Sequence, residues 1–253
     1  MSLLASLKTD DSIIGEKDSV GGSSGPLESG MYNAKVSMAY LTKSSGGALG
    51  LVLTLKTVAN REIRQTLWMT SGTAKGCKNY YENKDGEKQF LPGFNLANAL
   101  CLLTVGKEVS EMDTETKMVN VYNPEAKAEV PTKVDVVMDL MNQEVIVGLF
   151  KQVVDKTVKN DAGVYVPKVN PVTGENETRE ENEIDKFFRA SDRMTTAEIK
   201  AAANEAVFAN TWESKWTGKT REKAKGASAN AGVSGAPKAA SKPANKPTAS
   251  LFG

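Results

Sequence analysis

Three segments near the start of the chain alternate apolar and polar residues with a period of two. In the first, residues 31–41, every second residue from Tyr32 to Tyr40 is apolar, and in the second, residues 48–58, leucines stand at positions 49, 51, 53 and 55. The third, residues 62–70, continues with Ile63, Leu67 and Met69. This period is typical of strands that bury one face, and the Ser-Ser-Gly-Gly turn at residues 44–47 joins the first two. The sequence therefore predicts an antiparallel three-stranded meander, with Trp68 on its outer face.

The pattern changes after an insertion at residues 71–93. Residues 94–103 carry apolar side chains at helical spacing, and Gly106 is placed to end that helix. Strands are predicted at residues 133–138 and 144–158, followed by a turn at 160–163 into 164–166. A last helix is predicted over residues 195–208, with Thr195 as N-cap and Glu198 completing a capping box. Trp212 and Trp216, which follow it, are expected to hold it against the body.

The order strand, strand, strand, helix, strand, strand is that of the OB-fold. We therefore expect a mainly β chain that forms an OB-fold-like five-stranded antiparallel Greek-key barrel. A helix lies between strands 3 and 4, long loops are inserted, and a C-terminal helix follows. Other small barrels and α+β folds share parts of this order, so the order alone does not decide the fold.

The two ends of the chain differ in composition from its middle. Residues 1–28 contain a Gly/Ser-rich linker at 20–26, which predicts a flexible N-terminal arm. Residues 217–253 hold seven Lys and Arg against Glu222 alone, a charge of +6, and are otherwise rich in Ala, Ser, Gly and Pro. Such a segment buries too little apolar surface to offset the entropy of ordering, which predicts a disordered basic tail. The folded domain is thus placed at residues 29–216, and residues 1–216 together carry a charge of −5 because the whole chain carries +1.

Composition excludes several kinds of chemistry. The chain has no histidine, which rules out Ser-His-Asp and Cys-His catalysis, and its two cysteines are too few for a zinc site. We expect no cofactor, no metal and no enzymatic activity. One alternative stays open: the acidic stretch at residues 175–185 could hold Mg²⁺ in a metal-dependent nuclease or another DNA-processing enzyme, although a solvated charged edge strand explains it as well.

Targeting signals and membrane-spanning segments can also be assessed from the sequence. The first residues lack the basic and apolar regions of a signal peptide, and the longest mainly apolar stretch, residues 96–105, is about half of the ~20 residues that a membrane span needs. We therefore expect a cytoplasmic protein that does not enter a membrane.

The most informative segment is residues 68–94, in which lysines alternate with aromatic rings. Single-stranded nucleic acids are bound by this combination, because cations contact the phosphates and flat rings stack on unpaired bases. An alternative is that the rings pack the loop onto the barrel while the lysines keep it soluble. The candidate nucleic-acid-binding residues are Arg64, Trp68, Lys75, Lys78, Tyr80, Tyr81, Lys84, Lys88 and Phe90.

Several short motifs, taken in order, resemble single-stranded-DNA-binding proteins encoded by tailed bacteriophages. The similarity extends over residues 29–208. The motifs are Gly30-Met-Tyr32, Gly47-Ala-Leu-Gly50, Gln89-Phe-Leu-Pro-Gly-Phe94, Asn98-Ala-Leu100, Val130-Pro-Thr132 and Asn182-Glu-Ile-Asp185.

This resemblance implies an OB-fold that coats and protects unwound DNA in the cytoplasm of an infected bacterial host, during phage DNA replication, recombination and repair. The expected partners are single-stranded DNA and replication or transcription proteins such as a polymerase, and homo-oligomerisation stays open. The chain departs from the family in its tail, which is basic where many members are acidic, and which ends in Leu251-Phe252-Gly253. A tail that assists DNA binding is therefore favoured over one that competes with DNA, and recruitment of a polymerase by the apolar tip is a further alternative.

Overall fold

The computed structural model describes residues 25–123, 126–161 and 163–225, and the chain is mainly β. The helices are α1 (Pro92–Thr104), α2 (Thr196–Lys200) and α3 (Val207–Trp216), with short 3-10 turns at Thr73–Lys75, Val109–Glu111 and Met138–Leu140. The strands are β1 (Gly30–Lys43), β2 (Leu49–Thr57), β3 (Glu62–Trp68), β4 (Tyr80–Glu82), β5 (Lys88–Phe90), β6 (Thr114–Asn123), β7 (Ala128–Val137), β8 (Glu144–Asp155), β9 (Thr157–Lys159), β10 (Tyr165–Pro167), β11 (Thr178–Arg189) and β12 (Thr220–Glu222).

The main sheet has the strand order β11-β8-β1-β2-β3, and α1 lies in the chain between β3 and β8. β7 and β12 also join this sheet, through β1 and β8 respectively, and β6 pairs with β7. No sheet closes on itself within the described ranges. The two outer strands of this order, β3 and β11, lie close to each other. The backbone N–H of Ile184 in β11 donates a hydrogen bond to Oε1 of Gln65 in β3, at 2.7 Å.

The predicted meander is confirmed, with one correction to its faces. β1 pairs with β2, and β2 with β3, all antiparallel. A register shift between Val36 and Met38 turns the strand over, so that Val36 points into the main core while Met38 and Tyr40 pack in a second cluster on the outer face. The apolar alternation continues through this irregularity, which is why the sequence placed all five residues on one face.

Two long strands, β6 and β11, were absent from the predicted order, although the charged edge strand offered as one explanation of the acidic stretch is confirmed by β11. β6 was not predicted, because most of its side chains are exposed and its apolar residues lie on both faces. β7 begins five residues earlier than the predicted strand, and its apolar residues alternate from Ala128 onward. β11 lies in the acidic stretch and continues beyond it, burying Ile184 and Phe187 in the main core. The predicted strand at 144–158 is β8 followed by β9, and the turn into β10 is as expected.

The single predicted C-terminal helix is two helices. Thr195 caps α2 through the expected reciprocal bonds with Glu198, but α2 ends at Lys200, and Ala202 has a left-handed backbone (φ 50°). α3 follows and contains both tryptophans, so these do not come after the last helix. Trp212 is nevertheless buried as expected: its indole stacks on Phe150 of β8, and its Nε1 donates to Asp185 of β11 at 2.7 Å.

The ordered body extends past both predicted boundaries. Residues 220–222 form β12, parallel to β8, so the tail predicted to begin at 217 starts with a strand of the main sheet. At the other end, the backbone of Leu27 exchanges hydrogen bonds with the side chain of Asn182. The rest of the predicted arm and tail, including the apolar tip, lies outside the described residues. α1 has 13 residues and is the longest described helix, and no helix in the described ranges is long and apolar enough to cross a membrane.

The two cysteines are expected to differ in reactivity. Cys101 in α1 is fully buried, and burial raises the pKa of its thiol to about 12, whereas Cys77 is exposed in the insertion. Since the thiolate is the reactive form, a thiol reagent at mild alkaline pH should label one cysteine per native chain and both in denaturant. Peptide mapping that found Cys101 labelled in the native protein would contradict this packing of α1.

Candidate functional site

A groove of about 1600 Å³ lies where β3 faces β11. Its lining comes from two groups of segments, called the two walls here: β3, the β4-β5 hairpin and the start of α1 in the first, and β11, β12 and the α2–α3 region in the second. α1 contacts both β3 and β11. The groove therefore exists because the sheet stays open between β3 and β11. Elements more than 100 residues apart in sequence meet across it.

Three exposed aromatic rings are among the residues that line this groove, and two of them, Tyr81 and Phe90, lie on opposite faces of the β4-β5 hairpin. Trp68, Tyr81 and Phe90 are 43%, 45% and 54% exposed, although large apolar rings are ordinarily buried. Tyr81 is held by its hydroxyl, which donates to Oε1 of Gln89 at 2.8 Å, and Phe90 rests against Phe94 with ring centroids 4.9 Å apart. The rings are thus positioned by the fold while part of their surface stays open to a ligand.

Two glycines fix the position of Trp68. Gly50 is its partner on β2, and a Cβ at Gly50 would lie 2.8 Å from the indole Cε3, so the ring lies over the space that a side chain would fill. At Gly93, in the first turn of α1, a Cβ would lie 2.2 Å from the backbone oxygen of Trp68. The helix start and the end of β3 therefore touch backbone to backbone.

Tyr80 has a different environment from Tyr81. Its ring is half-buried, and the ammonium nitrogens of Lys78 and Lys88 lie 5.4 and 5.2 Å from its centroid. Cation–π contacts of this kind hold lysine side chains in place. The Tyr80 ring therefore positions the side chains of Lys78 and Lys88, and it is not open to a ligand as the Tyr81 ring is.

The groove lining is basic. Six cationic and two acidic side chains line it, which gives a net charge of +4 on a domain for which the sequence gives a negative total. Arg221 and Lys223 are both paired with Glu183, at 3.4 and 2.6 Å. The other four cations form no ion pair with a described carboxylate, and they are Lys75, Lys88, Lys186 and Lys200.

The structure brings five of the nine candidate residues together. Those that line the groove are Trp68, Lys75, Tyr81, Lys88 and Phe90. Of the other four, Lys78 and Tyr80 lie beside it, Lys84 is exposed in the turn of the hairpin, and Arg64 lies on the outer face of β3, where it donates to the Tyr40 hydroxyl at 3.1 Å. These four have no place in the groove lining.

Sequence reasoning missed the groove residues contributed by β11, β12 and the α2–α3 region. Lys186 follows the acidic stretch on β11, and its ammonium lies 6.0 Å from the ring centroid of Phe208, which is 39% exposed. Arg221 and Lys223 were counted in the tail. The two aromatic residues between Lys186 and Arg189 were the available signal, but the carboxylates before them made the stretch look acidic.

Five carboxylates of residues 175–185 contact neighbouring side chains, and they are Glu177, Glu180, Glu181, Glu183 and Asp185. Glu177 accepts from Lys168 and Lys156, and these bonds, the one from Lys168 first, hold the pKa of its carboxyl below the usual value. Glu181 accepts from Arg179, and Asp185 from Trp212. Among the described residues no group of three or more acidic or cysteine side chains is placed to hold a metal ion, so no observation favours the nuclease alternative.

No protein-family model and no curated protein sequence matches this chain.

Proposed function

We propose that the chain is a non-catalytic, sequence-tolerant single-stranded-DNA-binding protein. The observation that carries the proposal is the combination of three open aromatic rings with a groove of charge +4. Bases stack on Trp68, Tyr81 and Phe90, and each stacked base is worth roughly 1–3 kcal/mol. Stacking does not depend on base identity, which makes the binding tolerant of sequence.

Phosphate contacts come from the cations of both walls. Lys75 and Lys88 lie on the aromatic side, and Lys186 and Lys200 lie on the side of β11 and α2. An extended strand between the walls presents its bases to one and keeps its charged backbone within reach of both. Lys78 and Lys84 lie outside the groove lining and add positive charge to the same insertion.

The proposed fold is an OB-type barrel that is open between β3 and β11. The order β3-β2-β1-β8-β11 supports it, together with α1, which follows β3 in the chain and precedes β8. Such barrels are partly open and bind oligonucleotides. The β6-β7 ribbon is then an insertion before the fourth barrel strand. The proposed role is to coat and protect unwound DNA during phage replication and recombination in the infected bacterial cell, and the sequence resemblance supports this setting.

The proposal is tested by titrating the protein with labelled oligo-dT and the matching RNA at increasing salt. If four groove cations contact phosphates, the slope of log Kobs against log salt is expected to be about −3. Lys88→Gln and Lys186→Gln should each make the slope shallower by about 0.7, because each removes one phosphate contact. Binding that is absent at low salt, or indifferent to salt, would overturn the proposal.

A matched control is Lys56→Gln, which removes the same charge from an exposed position on β2 outside the groove. It should leave the slope unchanged. An equal effect of Lys56→Gln would show that overall charge, and not the groove, determines binding.

A further inference from the structure

The outer edge of β6 is ten residues long, and no described strand pairs with it. β6 pairs with β7 over ten residues without a register shift and has no other strand partner in the described ranges. The other two long strands at an edge, β3 and β11, face each other through Gln65 and Ile184. β7 pairs with β1 only at Val136, and the remaining edge strands, β4, β5, β9, β10 and β12, have three residues each.

β6 also lacks the features that usually protect such an edge. It contains no proline, glycine or bulge, and its two charges, Glu115 and Lys117, pair with each other at 3.1 Å. The following residues 118–123 are uncharged, and Met118 and Tyr122 are 59% and 51% exposed on the outward face. The inward face is already occupied, because Val119 and Val121 pack against the cluster around Tyr40.

The sequence of this edge is symmetric in chemical type about Asn120. It reads Met-Val-Asn-Val-Tyr from 118 to 122, so each residue has a counterpart of the same kind at the same distance from Asn120. Two copies of such a strand can pair antiparallel around a twofold axis with like residues opposite each other, which is the self-complementarity that a symmetric dimer requires.

We propose that β6 pairs with β6 of a second copy of this chain, with the twofold axis at Asn120. Val119 of one copy then lies opposite Val121 of the other, and Met118 lies opposite Tyr122. Lys117 faces Asn123, so no like charges oppose each other between residues 117 and 123. The pairing satisfies the edge N–H and C=O groups and covers the apolar side chains beside them.

The dimer places two grooves on one continuous sheet layer. The proposal stands without the proposed function, because it rests on the edge alone and its test contains no DNA. If the dimer and the proposed function are both correct, a DNA strand bound in one groove of the dimer meets the second groove at a high effective concentration.

The test is sedimentation velocity of the full chain, without DNA, at increasing protein concentration. The wild type should shift toward the mass of two 27.1 kDa chains. Asn120→Lys and Asn120→Asp each place like charges opposite each other on the axis, and each should raise the dimer dissociation constant about fivefold or more. An equimolar mixture of the two variants should dimerise again, because Lys then faces Asp.

Asn210→Lys is the matched control, since it adds the same charge at an exposed position of α3 and should leave dimerisation unchanged. Circular dichroism confirms that each variant is folded. A wild type that stays monomeric at every concentration, axis variants that dimerise like the wild type, or a mixture that does not recover would each overturn the proposal.

Discussion

Replacing Trp68 and Phe90 together by alanine is expected to raise the dissociation constant for oligo-dT at least about 30-fold, since two stacking platforms worth roughly 1–3 kcal/mol each are lost. Both rings are about half exposed, so each truncation should cost the fold only about 1 kcal/mol. Fluorescence anisotropy of a labelled oligonucleotide measures the loss, and a melting curve of the same variant confirms that it is folded at the assay temperature.

Tyr165→Ala is the control for this variant. Tyr165 is 68% exposed on the β9-β10 hairpin, also lies near a lysine, and is outside the groove lining. We expect it to change the affinity little. If the double variant of Trp68 and Phe90 binds oligo-dT like the wild type, the groove is not the DNA-binding site. If Tyr165→Ala weakens binding equally, exposed aromatic rings contribute to binding whether or not they line the groove.

The second large effect is expected from Gly93→Ala. The new Cβ would meet the backbone oxygen of Trp68 at 2.2 Å, a contact that no side-chain rotation relieves. Either the first turn of α1 or the end of β3 must move. Overpacking of this kind costs about 1–3 kcal/mol or more, which for a chain of this size lowers Tm by about 5–10 °C. The affinity for oligo-dT should fall as well, because Trp68 and Phe94, the support of Phe90, both shift.

Gly46→Ala separates this effect from the general cost of replacing a glycine. Gly46 also lines the groove, but a Cβ there meets only the Ser44 hydroxyl, at 3.9 Å. The Tm of the Gly46→Ala protein and its affinity for oligo-dT should stay close to those of the wild type. A Gly93→Ala protein with unchanged Tm and affinity would mean that α1 and β3 do not touch as described.

The elements that sequence reasoning found are those whose side chains repeat with a regular period and bury one face. The β1-β2-β3 meander, α1 and the Thr195 cap of α2 belong to this group. The elements that sequence reasoning missed do not show such a repeat. β6 is mostly exposed, and β11 carries carboxylates that pair with cations from other strands, so neither shows the period of a half-buried strand.

The same division holds for the candidate site. The aromatic and basic insertion could be found because its residues are adjacent in the chain, and five of the nine candidates do line one groove. Lys186, Phe208 and Arg221 could not be found this way, since they come from three separate segments. The different environments of Tyr80 and Tyr81, which are neighbours in sequence, arise because successive side chains of a strand point to opposite faces.

By itself, the sequence determined the mainly β character, the meander, the position of α1 and the location of one basic-aromatic wall. These follow from local periodicity and composition, which act over a few residues. Only the tertiary structure decided that the sheet stays open between β3 and β11, that β11 and β12 supply the second wall, and that β6 keeps a free edge. These features depend on which distant strands pair, and pairing is set by the burial of all the strands together rather than by any one segment.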